Sequence, residues 1–118
     1  WARQYRFSET NGIVKKNEEL GRLAATINKT YYNFPLAKIT FHKQNSTWGT
    51  CNPQKRLIYI SHRLIGAPID LLWYVVTHEL CHLSEPSHSK QFWKLVGRAC
   101  PNYQECRVRL KAFGLSMN

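Results

Sequence analysis

The chain has 118 residues and a mass of 13.8 kDa, which is enough for one compact domain with a buried core and too little for two domains of ordinary size. Seventeen Lys and Arg against seven Asp and Glu give a formal net charge of +10, so long-range attraction favours anionic partners. The hydrophobic fraction of 43% and the charged fraction of 20% are typical of globular proteins and exclude a disordered or collagen-like chain. The longest purely apolar run, residues 71–76, is far shorter than the roughly 20 residues of a transmembrane helix. We therefore expect one domain over residues 1–118 and no membrane partner.

The N-terminus and the cysteines bear on where the protein is found. The chain begins at Trp1, its first residues lack the apolar segment of a secretory signal, and we expect residues 1–10 to be the remainder of a longer N-terminal region. The cysteines contain no CxxC pair and are too few for a secreted domain held by disulfides; they are Cys51, Cys81, Cys100 and Cys106. We therefore expect a reducing, cytoplasmic setting, with a Cys100–Cys106 disulfide as the alternative.

The first half of the chain predicts one helix followed by three short strands. Residues 15–31 have the period of an amphipathic helix, and its apolar face consists of Leu20, Leu23, Ala24, Ile27 and Tyr31. After Pro35 the pattern alternates with period two, which is typical of half-buried strands. Residues 38–42, 47–51 and 57–61 are separated by turn-prone segments. We expect them to form a three-stranded antiparallel sheet.

The second half predicts three helices. One begins near Pro68 and ends before Pro86, because proline fits the first turn of a helix but not its interior. This helix is apolar nearly all round, which indicates that it is buried. Two further helices are expected over about residues 87–99 and 102–113, with Gly114 as a stop signal. The predicted fold class is therefore α+β.

The buried helix contains His78-Glu79-Leu80-Cys81-His82, an HExxH motif. Residues four apart lie one turn above each other, so His78 and His82 can reach a single ion. Zinc suits such a site, because catalytic zinc takes three protein ligands and one water. Glu79 is rotated by about 100° from His78, which places its carboxylate where a general base can accept a proton from the attacking water. The alternative is two ordinary buried histidines, whose polar atoms would all need partners.

His88 is the first candidate for the third ligand, six residues after His82 and beyond the end of the helix. The resulting HExxHxxxxxH spacing occurs in metzincin proteases, but these have Gly where this chain has Glu85, and Met117 is a poor candidate for their Met-turn. We therefore do not expect a metzincin. Glu85 and Glu105 are alternative third ligands, and His88 can instead cap the next helix.

Several motifs in a fixed order make the chain resemble the YgjP-like metallopeptidase domain family. They are Trp48-Gly49-Thr50-Cys51, the segment 62–68, the segment 75–82 and His88-Ser89-Lys90-Gln91-Phe92-Trp93. The resemblance covers about residues 11–114 and extends, through the HExxHxxxxxH motif, to the SprT-like proteases. It implies a small zincin-like domain, zinc held by His78, His82 and His88, and Glu79 as the catalytic base. Thr50 stands where the family usually has Ser, and the segment before residue 11 is short relative to full-length members.

A zinc hydrolase also needs a donor for the oxyanion that develops during the reaction. The candidates for oxyanion or substrate contacts are Tyr74, His62, Arg63 and Trp48. Trp48 and Cys51 stand at strand positions, where packing in the core is the commoner role. Cys51 is less favoured as a metal ligand than the three histidines.

The positive charge has one organised part, a basic stripe formed by Lys90, Lys94 and Arg98 at intervals of four residues. This stripe is either a solvated helix face or a site for nucleic acid or another polyanion, bound through its backbone without sequence preference.

Together these features predict a zinc-dependent metallohydrolase, foremost a metallopeptidase that acts on peptides or proteins, with the substrate extended along the sheet edge. The alternatives are a zinc-dependent hydrolase of nucleotides or phosphoanhydrides and a nucleic-acid-associated protease module.

Overall fold

The computed structural model describes residues 14–117, which form four helices and three strands. The elements are α1 (Asn17–Tyr31), β1 (Lys38–His42), β2 (Gly49–Asn52), β3 (Leu57–Ser61), α2 (Ile69–His82), α3 (Lys90–Ala99) and α4 (Tyr103–Leu110), with 3-10 turns at His62–Leu64 and Lys111–Phe113. This order confirms the predicted α+β class. The expectation about residues 1–10 lies outside the described residues.

Helix α1 begins where a carboxylate satisfies its free backbone donors. The Glu19 side chain accepts hydrogen bonds from the backbone N–H groups of Lys15 and Lys16, at 3.0 Å each, as expected for an acidic residue in a first turn. The predicted apolar face is buried, at Leu20, Leu23, Ala24 and Ile27. Helix α1 therefore covers part of the sheet and packs against α2.

Helix α2 lies at the centre of the molecule, as its apolar sequence predicted. Every residue from Leu71 to His82 is buried, and the helix contacts α1, α3, α4 and two strands of the sheet. Its first turn is held to α4 by an ion pair between Asp70 and Arg109. No helix among residues 14–117 combines the length and the apolar character needed to cross a membrane.

The sheet is mixed rather than antiparallel, which corrects the predicted meander. The strand order is β1-β3-β2, with β1 parallel and β2 antiparallel to β3. The connection between β1 and β2 crosses the end of β3, where the Ser61 hydroxyl donates to the Gln44 carbonyl at 2.7 Å and the Ser61 N–H donates to the Trp48 carbonyl at 2.8 Å. The alternating pattern identifies which residues face the core, but it carries no information about which strands are neighbours.

Ser61 provides a test of this crossing, because its side chain is fully buried and also accepts a hydrogen bond from the Arg63 N–H. We expect Ser61→Ala to lower the free energy of unfolding by about 1–2 kcal/mol, since it removes two hydrogen bonds of a buried hydroxyl. Denaturant unfolding followed by circular dichroism measures this change. The control is Ser46→Ala, an exposed serine in the same connection, and equal stabilities of the two variants would contradict the expectation.

Candidate metal centre

Three histidine side chains converge at the C-terminal end of α2. The Nε2 atom of His78 lies 3.2 Å from that of His82 and 3.3 Å from that of His88, and one ligand atom from each of the three lies within 4.8 Å of the others. Zinc with Zn–N distances of about 2.0–2.1 Å in tetrahedral geometry separates its ligand nitrogens by about 3.3 Å. The spacing and chemistry of this donor set therefore fit a zinc ion.

His88 reaches the other two histidines because α3 begins directly after it. The Ser89 hydroxyl accepts a hydrogen bond from the Phe92 N–H at 3.3 Å, which is the arrangement of a helix N-cap. Helix α3 therefore starts at Lys90, slightly later than the predicted residue 87. The capping role considered for His88 belongs to Ser89.

Hydrogen bonds on the far side of the rings orient two of the histidines. A metal bound at Nε2 requires the tautomer with hydrogen on Nδ1. In that tautomer His82 Nδ1–H donates to the backbone carbonyl of Glu85 at 3.0 Å, and His78 Nδ1–H donates to the Tyr74 hydroxyl at 3.2 Å. Such outer partners fix the direction of the ligand lone pair.

The surroundings of His82 and His88 favour the neutral form that binds metal. Burial lowers the pKa of His82, and the neighbouring His88 lowers it further, against the effect of the hydrogen bond to Glu85. Burial also lowers the pKa of His88, and the charge of Arg107 acts in the same direction. Burial raises the pKa of the Tyr74 hydroxyl, so this group stays uncharged beside His78.

Aromatic rings enclose the three histidines. Phe92 stacks on His82 with ring centroids 4.5 Å apart, Trp93 stacks on His88 at 5.8 Å, and Trp48 meets His78 edge-on at 5.2 Å. The sequence analysis named Phe92 and Trp93 only as part of the motif that begins at His88. Their position directly after His88, in one helical turn, is the signal that would have placed them at the site.

Glu79 lies on the turn between His78 and His82, with a fully buried side chain. Its carboxylate packs against Gly49 of β2, because a Cβ at that position would come within 3.0 Å of Glu79 Oε2 and 3.1 Å of Glu79 Cγ. Glycine is therefore required where the strand passes over the carboxylate. The sequence pointed to this segment only through the Trp48-Gly49-Thr50-Cys51 motif and gave no role to Gly49.

Comparison with known proteins shows the family to which the chain belongs. The model of the family described as YgjP-like, metallopeptidase domain, matches residues 11–113. The chain belongs to the YgjP-like metallopeptidase family. Its fold is similar to the crystal structure of the metallopeptidase zymogen of Pyrococcus abyssi abylysin, with a TM-score of 0.75 and 19% sequence identity over 84% of this chain and 99% of that chain. No match was found among curated proteins.

The alternative ligands lie outside the histidine cluster of this YgjP-like domain. Among residues 14–117, only His78, His82 and His88 form a group of three or more residues that could hold a metal. Glu85 contacts the cluster through its backbone carbonyl, which lies 3.0 Å from His82 Nδ1. Glu105 is exposed on α4. Cys51 is not part of this group, and burial, followed by the charge of Glu79, raises the pKa of its thiol to about 12.

The structure also shows the surroundings of the other residues that were predicted to contact the oxyanion or the substrate. His62 Nδ1 accepts a hydrogen bond from the Gln44 N–H at 3.2 Å, and the exposed Arg63 donates to the Asn45 carbonyl at 3.4 Å, so both contact the connection between β1 and β2. Trp48 is buried. The roles of these residues and of Tyr74 in oxyanion or substrate binding remain predictions.

The alternative of a Cys100–Cys106 disulfide is wrong, because all four cysteines are free thiols.

The Tyr74–His78 contact generates a prediction about metal affinity. We expect Tyr74→Phe to weaken zinc binding by about tenfold to a hundredfold, which is the usual effect of removing an outer hydrogen-bond partner. Competition with a chromogenic chelator measures the affinity. Tyr59→Phe is the matched control, because the Tyr59 ring lies against His42 on the other side of the sheet. Unchanged affinity in Tyr74→Phe would show that the hydroxyl does not orient His78.

Proposed function

We propose that this chain is a zinc-dependent metallopeptidase that hydrolyses peptide bonds with Glu79 as general base. The observation that carries the proposal is the convergence of the three Nε2 atoms beside a buried glutamate on the same helix. Membership of a metallopeptidase family supports it. Neither phosphoanhydride hydrolysis nor a nucleic-acid-associated role has a specific observation in its favour.

Each part of the site has a defined task in this reaction. Zinc held by His78, His82 and His88 would polarise the scissile carbonyl and lower the pKa of a water. Glu79 accepts the proton of the attacking water and delivers it to the leaving amine. Gly49 keeps the space that the carboxylate needs for both transfers. Tyr74 acts through His78 and is therefore a positioning residue.

The edge of the sheet offers a place for the substrate backbone. Within the described part of the chain, β2 lies at one edge and pairs only with β3. Because the Ser61 N–H donates to the Trp48 carbonyl, the alternation of antiparallel bonding directs the N–H and C=O groups of Gly49 and Cys51 away from β3. An extended peptide can add to these groups as a further strand, next to the cavity of about 200 Å³ that Cys51 shares with Pro53, His82 and Pro86.

A reducing, cytoplasmic compartment is the setting we propose. The four free thiols support it, because disulfides are rare in such compartments.

The metal assignment is tested by analysing protein purified without chelators or affinity metals. We expect about one zinc per chain in the wild type, the stoichiometry of a single three-ligand site, and a clear loss in His88→Ala. The control is His42→Ala, an exposed histidine of β1, which should retain full zinc content. Zinc content that is the same in His88→Ala as in the wild type would exclude the three-histidine centre.

The role of Glu79 is tested by Glu79→Gln, which preserves the shape of the side chain and removes its basicity. We expect kcat on an unfolded, fluorescently quenched protein substrate to fall by about a hundredfold or more, as for loss of a general base, with zinc content unchanged. Glu105→Gln, on the exposed face of α4, should keep wild-type kcat. Substantial turnover by Glu79→Gln would remove Glu79 from this role.

A further inference from the structure

An open groove lies beside the metal centre on the α3 side. It encloses about 500 Å³ and is lined by Lys90, Gln91, Trp93, Lys94 and Tyr103. The rings of Trp93 and Tyr103 stack with centroids 4.9 Å apart and planes at 20°. The groove is therefore lined by a stacked pair of aromatic rings and by two exposed lysines.

The groove leads directly to the metal ligands. The Trp93 ring centroid lies 5.8 Å from that of His88 and 5.9 Å from that of His78. Successive residues of an extended peptide are about 3.3 Å apart. A substrate whose scissile bond lies at the three histidines can therefore place a side chain one to three residues away in this groove.

The charge of the groove is positive and is not neutralised by ion pairs within residues 14–117. Lys90 and Lys94 are exposed and lie one helical turn apart on α3, and the Arg107 guanidinium lies 4.8 Å from the Trp93 ring centroid. Among residues 14–117 none of these three cations forms an ion pair with a carboxylate. Uncompensated charge at a binding surface selects partners of the opposite sign.

We propose that this groove is a substrate subsite that binds acidic side chains of the peptide on one side of the scissile bond. The proposal rests on the peptidase function and adds a substrate class to it. A peptide suits the groove better than a nucleic acid, because Lys90 and Lys94 line one confined groove, whereas Arg98, the next cation of the stripe, lies over the Tyr32 ring outside it. The aliphatic parts of the lysines and the rings of Trp93 and Tyr103 contact the methylenes of a glutamate, while the ammonium groups meet its carboxylate.

The test measures binding separately from cleavage. Zinc-loaded Glu79→Gln protein is titrated with two fluorescent peptides that differ only in three Glu or three Gln residues flanking a central apolar pair. We expect the Glu peptide to bind about fivefold to tenfold more tightly, the effect of two or three partly exposed ion pairs. In the added double substitution Lys90→Glu with Lys94→Glu, the preference should disappear or reverse.

The control substitution is Lys29→Glu with Lys55→Glu, which changes the net charge equally at exposed positions on α1 and on the β2–β3 turn. It should retain the preference for the Glu peptide, and an equal loss in both double variants would overturn the subsite in favour of a general charge effect. A single-stranded oligonucleotide that binds the groove more tightly than the Glu peptide, with its binding lost in the Lys90 and Lys94 variant only, would also overturn it.

Cleavage by the protein with Glu79 intact distinguishes this proposal from the peptidase function itself. Faster cleavage when Glu stands on one side of the bond, abolished by the Lys90 and Lys94 substitutions, supports the subsite. Cleavage that is indifferent to Glu on either side overturns the subsite and leaves the peptidase function standing. A preference for the Glu peptide in binding, without cleavage of any peptide, would refute the peptidase function and retain the acidic site.

Discussion

The complete burial of α2 is the constraint on which the rest of the structure depends. A helix enclosed on every side cannot leave its polar side chains to water, so each such side chain must find a partner inside the protein. Thr77 meets this requirement within the helix, because its hydroxyl donates to the Trp73 carbonyl at 2.7 Å. The two histidines meet it partly through Tyr74 and the Glu85 carbonyl. Their Nε2 atoms face each other and His88, which is an arrangement of lone pairs that a metal ion satisfies.

The other elements enclose this helix. Helix α1 and the sheet cover one side, and α3 and α4 cover the other. The two ends of α2 are fixed by different means. The first helical turn forms the ion pair between Asp70 and Arg109. After the last helical turn the chain folds back, so that His88 contacts His78. Since the three histidines belong to α2 and to the segment just before α3, a metal bound by them would couple the docking of α3 to the integrity of the site. The stability of the domain and the geometry of the centre therefore depend on the same contacts.

The sequence predicted the parts of the fold and of the site that are set by local spacing. Helical period, proline positions and the four-residue interval between His78 and His82 depend on neighbours along the chain, and the structure contains the expected helices and histidine cluster. The position of β3 between β1 and β2 could not be predicted, because it depends on hydrogen bonds of Ser61 to a distant connection. The contact between Gly49 and Glu79 likewise joins a strand to a helix thirty positions away. The sequence named Tyr74 as a candidate for oxyanion or substrate contact but could not show that its hydroxyl meets His78.

The two cavities that flank the centre differ in their chemistry. The smaller one, of about 200 Å³, is lined by Cys51, Pro53, His82 and Pro86, and Cys51 keeps its proton because burial and then the charge of Glu79 raise its pKa to about 12. Among the described residues, no lysine or arginine lines this cavity. The larger one is lined by two exposed lysines, next to an arginine whose guanidinium lies 4.8 Å from the Trp93 ring centroid. A peptide bound across the three histidines would thus meet a neutral environment on one side and a cationic one on the other. If only one side of the centre prefers acidic residues, this preference selects the composition of the substrate. It also fixes the direction and the register in which the substrate binds.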